Sequence, residues 1–296
     1  MSFLKISLSI LTATSLLTAQ SADPIHIGTR PESITRGFEG DFFVTVMGEK
    51  EPADAVIKRI DAKGKITTFT GGFDEPKGIA FVVDTLVVSD LCRVWAIDSK
   101  GVARVLAHRD SFPKEIRYLN DVAVVPGEDA VYVTDMGSNH LMFETPGKLW
   151  PLDSDGAKAI PLHGRVYKIT LDGEVTEIVG EHPDMRNPNG VGVGINGEIL
   201  IAGFFTGKIS AYENGKLRLI AEGFRGADAI EQDPNGVYYI SSWTEGKVWS
   251  YDPKTKKTRI LKEGQKSAAD FFFDRQARQL ICPDMHTGLL HTISLK

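Results

Sequence analysis

The chain has 296 residues, of which 42% are hydrophobic, and this proportion is ample for a globular core. The net charge is -5 and the basic residues are scattered along the chain, so the composition excludes the clustered positive surface of a nucleic-acid-binding protein. We therefore expect no nucleic-acid partner.

The first segment has the pattern of a secretory signal peptide. A short charged start, residues 1–5, precedes an apolar run over 6–19 that is too short to span a bilayer comfortably, and small residues follow it. We assign residues 1–22 to a signal peptide and 23–296 to one mature domain. The expected location is periplasmic or secreted, without membrane attachment after cleavage.

The mature chain contains an internal repeat of about 42 residues, and such repeats are typical of stacked architectures. Each copy has a short apolar segment, a turn and a second segment rich in Val, Ile, Tyr and Phe; the copies start near residues 33, 78, 121, 190, 228 and 270. A third alternating segment follows in all six copies and a fourth in five. This pattern predicts an all-β fold, a six-bladed β-propeller with four antiparallel strands in each blade.

The two ends of the mature chain complement each other. The sixth copy stops after its third strand, whereas a spare strand over residues 25–28 precedes the first copy. We expect this N-terminal strand to pair with the last blade, because closure of the ring removes an exposed sheet edge. Cys92 and Cys282 then fall in separated blades, too far apart for a disulfide, so we predict two free thiols.

One position of the repeat is polar in every copy. The tetrads PESI, PKGI, LNDV, PNGV, ADAI and ADFF begin the innermost strands, where the blades converge on the axis. Their second residues are Glu32, Lys77, Asn120, Asn189, Asp228 and Asp270. Asp and Asn also cap the backbone before strands, but carboxylates brought together around an axis repel one another unless a cation or proton compensates.

Two carboxylates and two amides form an oxygen-only ligand set, which suits Ca²⁺. We predict a divalent metal, most simply Ca²⁺, on Glu32, Asn120, Asn189 and Asp228. Mg²⁺, Mn²⁺ and Zn²⁺ remain alternatives, although the absence of Cys and His at this position disfavours zinc. A water-filled polar funnel is the alternative without a metal.

These motifs also carry a resemblance. The PESI tetrad with its following GDFFV, and LNDVAV, NPNGVGV and GADAI, resemble the successive channel motifs of the gluconolactonase, senescence marker protein 30 and diisopropylfluorophosphatase group of calcium-dependent six-bladed propellers. The similarity extends over all blades. It implies that the four predicted ligands hold a catalytic metal and that Asp228 is the general base or nucleophile. Family lactonases often place an Arg two residues before the first Asn; here Arg117 stands three before Asn120, as a candidate substrate clamp.

A metal at the floor of a funnel polarises a carbonyl or phosphoryl oxygen. The expected function is therefore hydrolysis of a lactone or related ester, with Asp228 or Asp121 accepting a proton from water. Two alternatives stay open at this point. The same metal supports phosphotriester hydrolysis, and a non-catalytic propeller would use a structural cation and bind a small ligand or a protein.

The loops after the second strands open on the same face as the metal. We expect Asp90, Asp135, Phe204, Trp243 and His286 around this mouth. The substrate-binding candidates are Lys77, Arg117, Asp270, Phe204, Trp243 and His286. An insertion over residues 136–164 emerges on this face and is either a lid or a loop that packs on blade 3 for stability. A small-molecule substrate and a monomeric protein complete the expectation.

Overall fold

The computed structural model describes residues 23–49 and 51–295, and the predicted signal peptide over 1–22 lies outside the described residues. The described chain forms six four-stranded antiparallel sheets, arranged as the blades of a propeller. The predicted all-β architecture is therefore confirmed. Within the described ranges, no helix is long and apolar enough to cross a membrane.

The strands follow one another from the channel outward in each blade. The first strand of the chain is β1 (Ile25–His26). Blade 1 contains β2 (Pro31–Arg36), β3 (Phe42–Val46), β4 (Ala55–Ile60) and β5 (Ile66–Phe73). Blade 2 contains β6 (Pro76–Val82), β7 (Thr85–Asp90), β8 (Arg93–Ile97) and β9 (Ala103–Ala107). Blade 3 contains β10 (Leu119–Val124) and β11 (Ala130–Asp135), then the inserted hairpin of β12 (Phe143–Thr145) and β13 (Lys148–Leu149), then β14 (Arg165–Thr170) and β15 (Val175–Val179).

Blades 4 and 5 repeat the pattern, and blade 6 takes its outer strand from the start of the chain. Blade 4 contains β16 (Pro188–Val193), β17 (Ile199–Gly203), β18 (Ile209–Glu213) and β19 (Lys216–Ala221). Blade 5 contains β20 (Ala227–Gln232), β21 (Tyr238–Ser242), β22 (Lys247–Asp252) and β23 (Lys257–Lys262). Blade 6 contains β24 (Phe272–Asp274), β25 (Gln279–Asp284) and β26 (Leu289–Ser294), with β1 outermost.

Across residues 23–49 and 51–295, helical structure is confined to short connections. The insertion carries the helix α1 (Asp155–Lys158), whose N-cap Ser154 accepts a hydrogen bond from Ala157 N. Four 3-10 turns span Phe38–Gly40, Arg109–Ser111, His140–Met142 and Pro183–Met185.

Closure of the ring is as the sequence predicts. In β1, Ile25 pairs with Leu290 and His26 with Leu289 of β26. Ile27 continues the contact, because its N–H donates to Gly288 O at 2.9 Å and its side chain is buried. The edge of blade 6 is thereby covered within the same chain.

The hydrophobic core consists of six clusters, one between each pair of neighbouring blades. The cluster between blades 6 and 1 joins Ile27 and Leu290 to Ile34, Val44 and Val46. A seventh cluster lies under the insertion. Because the side chains of each strand alternate between the two faces of a blade, every blade packs against both of its neighbours. Cys92 and Cys282 are free thiols, as predicted.

A β-bulge occurs at the tetrad in five of the blades. In blade 1, Pro31 pairs with Val46 and Ile34 with Val44, so Glu32 and Ser33 lie opposite the single residue Thr45. The same shift occurs in blades 2, 3, 4 and 5. A bulge of this kind redirects a side chain, here the second residue of each tetrad.

The strand pairing of blade 6 corrects one sequence prediction. Ala268 pairs with Asp284 as Pro31 pairs with Val46, and Phe272 pairs with Ile281. The tetrad of this blade is therefore Ala268–Phe271, AADF, with Ala269 at the second position. The prediction that placed Asp270 there is wrong by one residue, because ADFF resembles the tetrad of blade 5 without sharing its pairing.

Candidate functional site

The second residues of the tetrads form one end of the central channel. Five of the six line a cavity of about 240 Å³, and all six are buried. The polar members are Glu32, Lys77, Asn120, Asn189 and Asp228. All four predicted metal ligands are therefore brought together, from blades 1, 3, 4 and 5.

Contacts between neighbouring blades hold these residues in place. A hydroxyl on the second strand of one blade donates to the backbone carbonyl of the tetrad residue in the next. Thr45 Oγ1 bonds Lys77 O at 2.8 Å, Thr134 Oγ1 bonds Asn189 O at 2.6 Å, and Ser89 Oγ bonds Asn120 O. Hydrogen bonds from the neighbouring blade thus fix the backbone that carries these polar side chains.

The innermost strands also approach very closely. A Cβ added to Gly190 would lie 1.9 Å from Asp228 O, and one added to Gly78 would lie 2.5 Å from Val122 N. The glycine of the PKGI and PNGV tetrads is therefore required by the close approach of the next blade. This approach brings the tetrads of neighbouring blades close together.

Three of the four predicted ligands expose an unsatisfied oxygen inside the protein. Glu32 Oε2, Asn189 Oδ1 and Asp228 Oδ1 are buried and have no hydrogen-bond partner among the described residues. Asn120 uses its amide nitrogen, which donates to Met136 Sδ at 2.8 Å, and this leaves its oxygen available. Buried oxygens without partners are costly, and a cation satisfies them.

The donor set is a mixed one. In the described part of the chain, no group of three or more His, Cys, Asp and Glu side chains is arranged to hold a metal ion. The four predicted ligands instead combine two carboxylates with two amides. Hard cations such as Ca²⁺ prefer such oxygen ligands, so the residues fit the predicted metal.

Burial disfavours the charged forms of the two carboxylates. Desolvation raises the pKa of Glu32, Lys77 lowers it, and Glu75 raises it further. Desolvation also raises the pKa of Asp228 well above its usual range, and the negative charges of Glu32 and Asp270 add to this effect. The two carboxyl groups are therefore stabilised by a proton or by a cation.

Lys77 supplies one positive charge from a fixed position. Its Nζ lies 3.4 Å from Met47 Sδ, 4.0 Å from Glu75 Oε2 and 5.0 Å from the ring centre of Tyr118. Tyr118 in turn donates its hydroxyl to Glu75 at 2.8 Å. Burial lowers the pKa of Lys77, but Tyr118, Glu32 and Glu75 together raise it above its usual value. The amine is therefore charged and is held to one side of the ring.

Asp121 and Asp270 belong to the other end of the channel. Both follow the second tetrad position, and both line a separate cavity formed by the later residues of the innermost strands. Asp121 accepts hydrogen bonds from Val122 N at 2.6 Å and Val191 N at 2.7 Å. Asp270 accepts one from Ser33 Oγ. Both link neighbouring blades, and neither lines the cavity of the predicted metal ligands.

The predicted mouth residues Asp90 and Asp135 are also structural. Both are fully buried at the ends of second strands. Asp90 accepts from the backbone N–H groups of Asp74 and Glu75, at 3.2 and 2.7 Å. Asp135 accepts a hydrogen bond from the backbone N–H of Tyr118 at 2.9 Å, in the loop before the tetrad of blade 3. They do not line the mouth, because their carboxylates fasten the loop that precedes each tetrad.

In blades 3 to 6, the residue after the end of the second strand faces the mouth instead. This position is apolar in all six blades: Met47, Leu91, Met136, Phe204, Trp243 and Met285. In five blades its N–H donates to the carbonyl of the residue before the tetrad, for example Trp243 N to Gly226 O at 2.8 Å. Phe204 and Trp243 line the cavity as predicted, together with Met136 and Met285, which the sequence interpretation missed. The repeat register was the signal for them.

Two further substrate-binding candidates lie outside the cavity. Arg117 is exposed, and its guanidinium pairs with Glu115 at 2.9 Å. His286 is exposed, with its ring centre 5.0 Å from that of Trp243, and the cavity lining contains its neighbour Met285 instead. The candidates that the structure brings to the site are thus Lys77, Phe204 and Trp243.

The insertion contributes one wall of the site. Asn139, His140, Met142 and Phe143 line the cavity beside the ring. The insertion also packs on blade 4, where Met142, Ala157 and Ile160 are buried with Phe204 and Phe205. The sequence interpretation set a lid against a stabilising loop, and the segment both lines the site and packs on the propeller.

Comparisons with known proteins establish the fold. No protein-family model matches the chain, and no curated protein matches it. A gluconolactonase from Xanthomonas campestris has 18% identity and a TM-score of 0.67, over 92% of this chain and 88% of that one. A calcium-binding protein, regucalcin from Agrobacterium tumefaciens, has 17% identity and a TM-score of 0.67, over 92% and 91%.

A virginiamycin B lyase from Staphylococcus aureus has 15% identity and a TM-score of 0.61, over 92% of this chain and 98% of that one. At these identities the similarity shows the propeller fold alone. A lactonase, a calcium-binding protein and a lyase share this fold, so the function has to be argued from the site.

Proposed function

We propose that this protein is a metal-dependent hydrolase of a lactone or related ester. One observation carries the proposal: Glu32, Asn189 and Asp228 line one cavity, and each has an oxygen without a partner among the described residues. The fold shared with a gluconolactonase and with a calcium-binding protein is in keeping with it. Secretion through the predicted signal peptide belongs to the same proposal.

Glu32, Asn120, Asn189 and Asp228 would hold the cation. When bound, it supplies the positive charge that polarises a carbonyl oxygen and stabilises the negative charge developing there. Ca²⁺ suits the donor set best. Lys77 offsets one carboxylate charge beside the ring, which limits the repulsion between Glu32 and Asp228.

Asp228 is our proton acceptor. Its Oδ1 has no partner among the described residues and its side chain lines the cavity, so it can accept a proton from a water molecule there. The oxygen of a water molecule bonds to the carbonyl carbon while Asp228 takes one proton from that water. The ring C–O bond then breaks, and the proton passes to the departing alkoxide oxygen. The product is a hydroxy acid, and atoms and charge balance.

The direct test is hydrolysis of a lactone panel by the purified protein, followed as acid release. We expect turnover that chelator abolishes and added Ca²⁺ restores. Asp228→Asn should lower kcat by about 100-fold or more, since it removes the base. Asp252→Asn, at the end of β22 and outside the cavity lining, is the matched control and should keep full activity.

The outcome also separates the alternatives. Unchanged turnover in Asp228→Asn would remove the assigned base. Faster turnover of a phosphotriester than of every lactone would favour the phosphotriesterase alternative. No turnover of either class with any divalent cation would favour a non-catalytic binding propeller.

A further inference from the structure

The walls above the polar floor of the cavity are apolar. Trp243, Phe204 and Phe143 of the insertion lie side by side there. The apolar wall, as we define it, consists of Met136, Met142, Phe143, Phe204, Trp243 and Met285. Four of these residues occupy the repeat position after the second strand, so the apolar character follows from the propeller itself and not from the insertion alone.

Three aromatic rings make this wall continuous. The ring centres of Phe143, Phe204 and Trp243 are 6.1 to 6.4 Å apart in every pair. Offset and edge-to-face contacts at such distances stabilise aromatic clusters. The three methionines of the wall, Met136, Met142 and Met285, have flexible thioethers that adapt to irregular apolar shapes.

Several polar atoms beside the apolar wall already have partners within the protein. Trp243 Nε1 donates to Met285 Sδ at 3.1 Å, and the Tyr118 hydroxyl donates to Glu75. The amide nitrogen of Asn120 points at Met136 Sδ. His140 lies at the exposed rim, where its Nδ1 is 3.3 Å from Asn139 Oδ1. The walls therefore present few free donors to a bound molecule.

This arrangement conflicts with a polyhydroxylated substrate. A sugar lactone carries several hydroxyl groups, each of which needs a hydrogen-bond partner when it leaves water. Burial of an alkyl chain or aryl ring against the wall instead stabilises the complex. Each buried methylene raises the affinity about fourfold.

We infer that the site takes a lactone or ester with an apolar alkyl or aryl substituent, seated against the apolar wall, in preference to a sugar lactone. This inference rests on the proposed function for the reaction, and the apolar wall supplies the substrate class. Phe143 is a specificity-determining residue, because it is partly buried and belongs to the insertion.

The test compares γ-butyrolactone, γ-hexalactone, γ-nonalactone and glucono-δ-lactone at equal Ca²⁺ concentration. We expect kcat/KM to rise about threefold for each added methylene until the cavity is full, and to be lowest for glucono-δ-lactone. Phe143→Ala should reduce the preference for γ-nonalactone over γ-butyrolactone by about tenfold. Phe143→Leu should keep most of that preference.

Phe42→Ala is the matched control. Phe42 is also partly buried and contacts an aromatic ring, Phe272, but it lies away from the site cavity. This variant should keep the wild-type preference even if its stability falls. An equal loss of preference in Phe42→Ala would attribute the effect to general loosening and overturn the role of Phe143.

Binding to Asp228→Asn, measured by calorimetry, separates this inference from the proposed function. Hydrolysis with glucono-δ-lactone as the best substrate would overturn the apolar substrate class and leave the hydrolase intact. No hydrolysis, with γ-nonalactone binding that Phe143→Ala weakens, would support the apolar site and reject the hydrolase. Absence of both hydrolysis and binding would overturn both.

Discussion

Glu32 and Asp228 are the two residues whose chemistry defines the proposed centre. Their side chains are buried where desolvation raises the pKa of each. A carboxyl group whose pKa is raised by folding stabilises the folded protein only below its ordinary pKa, and this contribution is lost as the pH rises through the raised value. A bound cation reverses the effect, because it stabilises the ionised carboxylates.

The first prediction concerns pH and cation affinity. At low pH, Ca²⁺ has to displace protons from Glu32 and Asp228, and at higher pH it does not. We expect Ca²⁺ to bind about tenfold more tightly at pH 7.5 than at pH 5.5, with proton release at the lower pH. Calorimetric titration in buffers of different ionisation enthalpy measures both quantities.

Glu32→Gln serves as the control for this effect. It removes one of the two titrating carboxyls, so both the affinity and its pH dependence should decrease. Equal affinity at the two pH values in the wild-type protein would contradict the assignment of buried carboxylates as ligands.

A second prediction separates Asp270 from the ring. Because Ala269 occupies the second tetrad position, Asp270 is not a ligand. Asp270→Asn should change Ca²⁺ affinity by less than about threefold, through the loss of a distant charge. Asp228→Asn should reduce it by at least about tenfold, since it weakens a direct ligand. Calorimetry measures both affinities. Similar losses of Ca²⁺ affinity in the two variants would contradict the exclusion of Asp270 from the metal ligands.

At the scale of elements, the insertion is fastened to the start of blade 4 through its first residues and through α1. Asn187 Nδ2 donates to Met136 O at 2.8 Å and to Ser138 O at 3.3 Å, and Arg186 donates to Ala157 O at 2.5 Å. Asn187 is itself buried and adopts a positive φ of 53°, which Asn tolerates better than most residues. The wall of the site depends on these anchors.

The third prediction follows from that anchor. Asn187→Ala leaves the carbonyls of Met136 and Ser138 without a buried donor, and it places Ala at a positive φ. We expect a loss of about 1 to 3 kcal/mol in the free energy of unfolding, measured by urea denaturation. Asn196→Ala, in an exposed turn of the same blade, should change it by less than about 0.5 kcal/mol. Equal effects would show that the anchor contributes nothing specific.

The bulge at the tetrad is the second feature at this scale. Because of the bulge, the second tetrad residue faces the site, whereas the third faces the neighbouring blade or the other cavity. Asn120 and Asp121 illustrate the division, since the first lines the site and the second bonds to blade 4. A single-residue shift exchanges these roles.

For the whole molecule, stability depends on closing the ring. The two-residue strand β1 is short, but Ile27 directly after it is buried between blades 6 and 1. Opening this contact would expose the edge of β26 and an apolar face of blade 1.

The fourth prediction tests that closure. Ile27→Ala removes buried methyl groups from the last interface of the ring and should lower the free energy of unfolding by about 2 to 4 kcal/mol. Ile25→Ala, two residues earlier in the same segment, is the matched control, because Ile25 is 42% exposed. Its effect should stay below about 0.5 kcal/mol. Similar effects of the two variants on urea denaturation would place the closing contact elsewhere.

The sequence by itself determined the six repeats, the closure by the N-terminal strand and the four positions Glu32, Asn120, Asn189 and Asp228. These features follow from periodic spacing, which local strand and turn preferences preserve along the chain. The free state of the two cysteines followed from the same blade assignment.

Only the tertiary structure decided which neighbour of a repeat position faces the site. A side chain changes face with each residue along a strand. Asp270, Asp90 and Asp135 are each one residue away from the position that the sequence prediction gave them, and therefore do not face the site. Contacts between distant segments decided the rest. Phe143 meets Trp243 because the insertion of blade 3 folds over blade 4, and no spacing in the sequence encodes that approach.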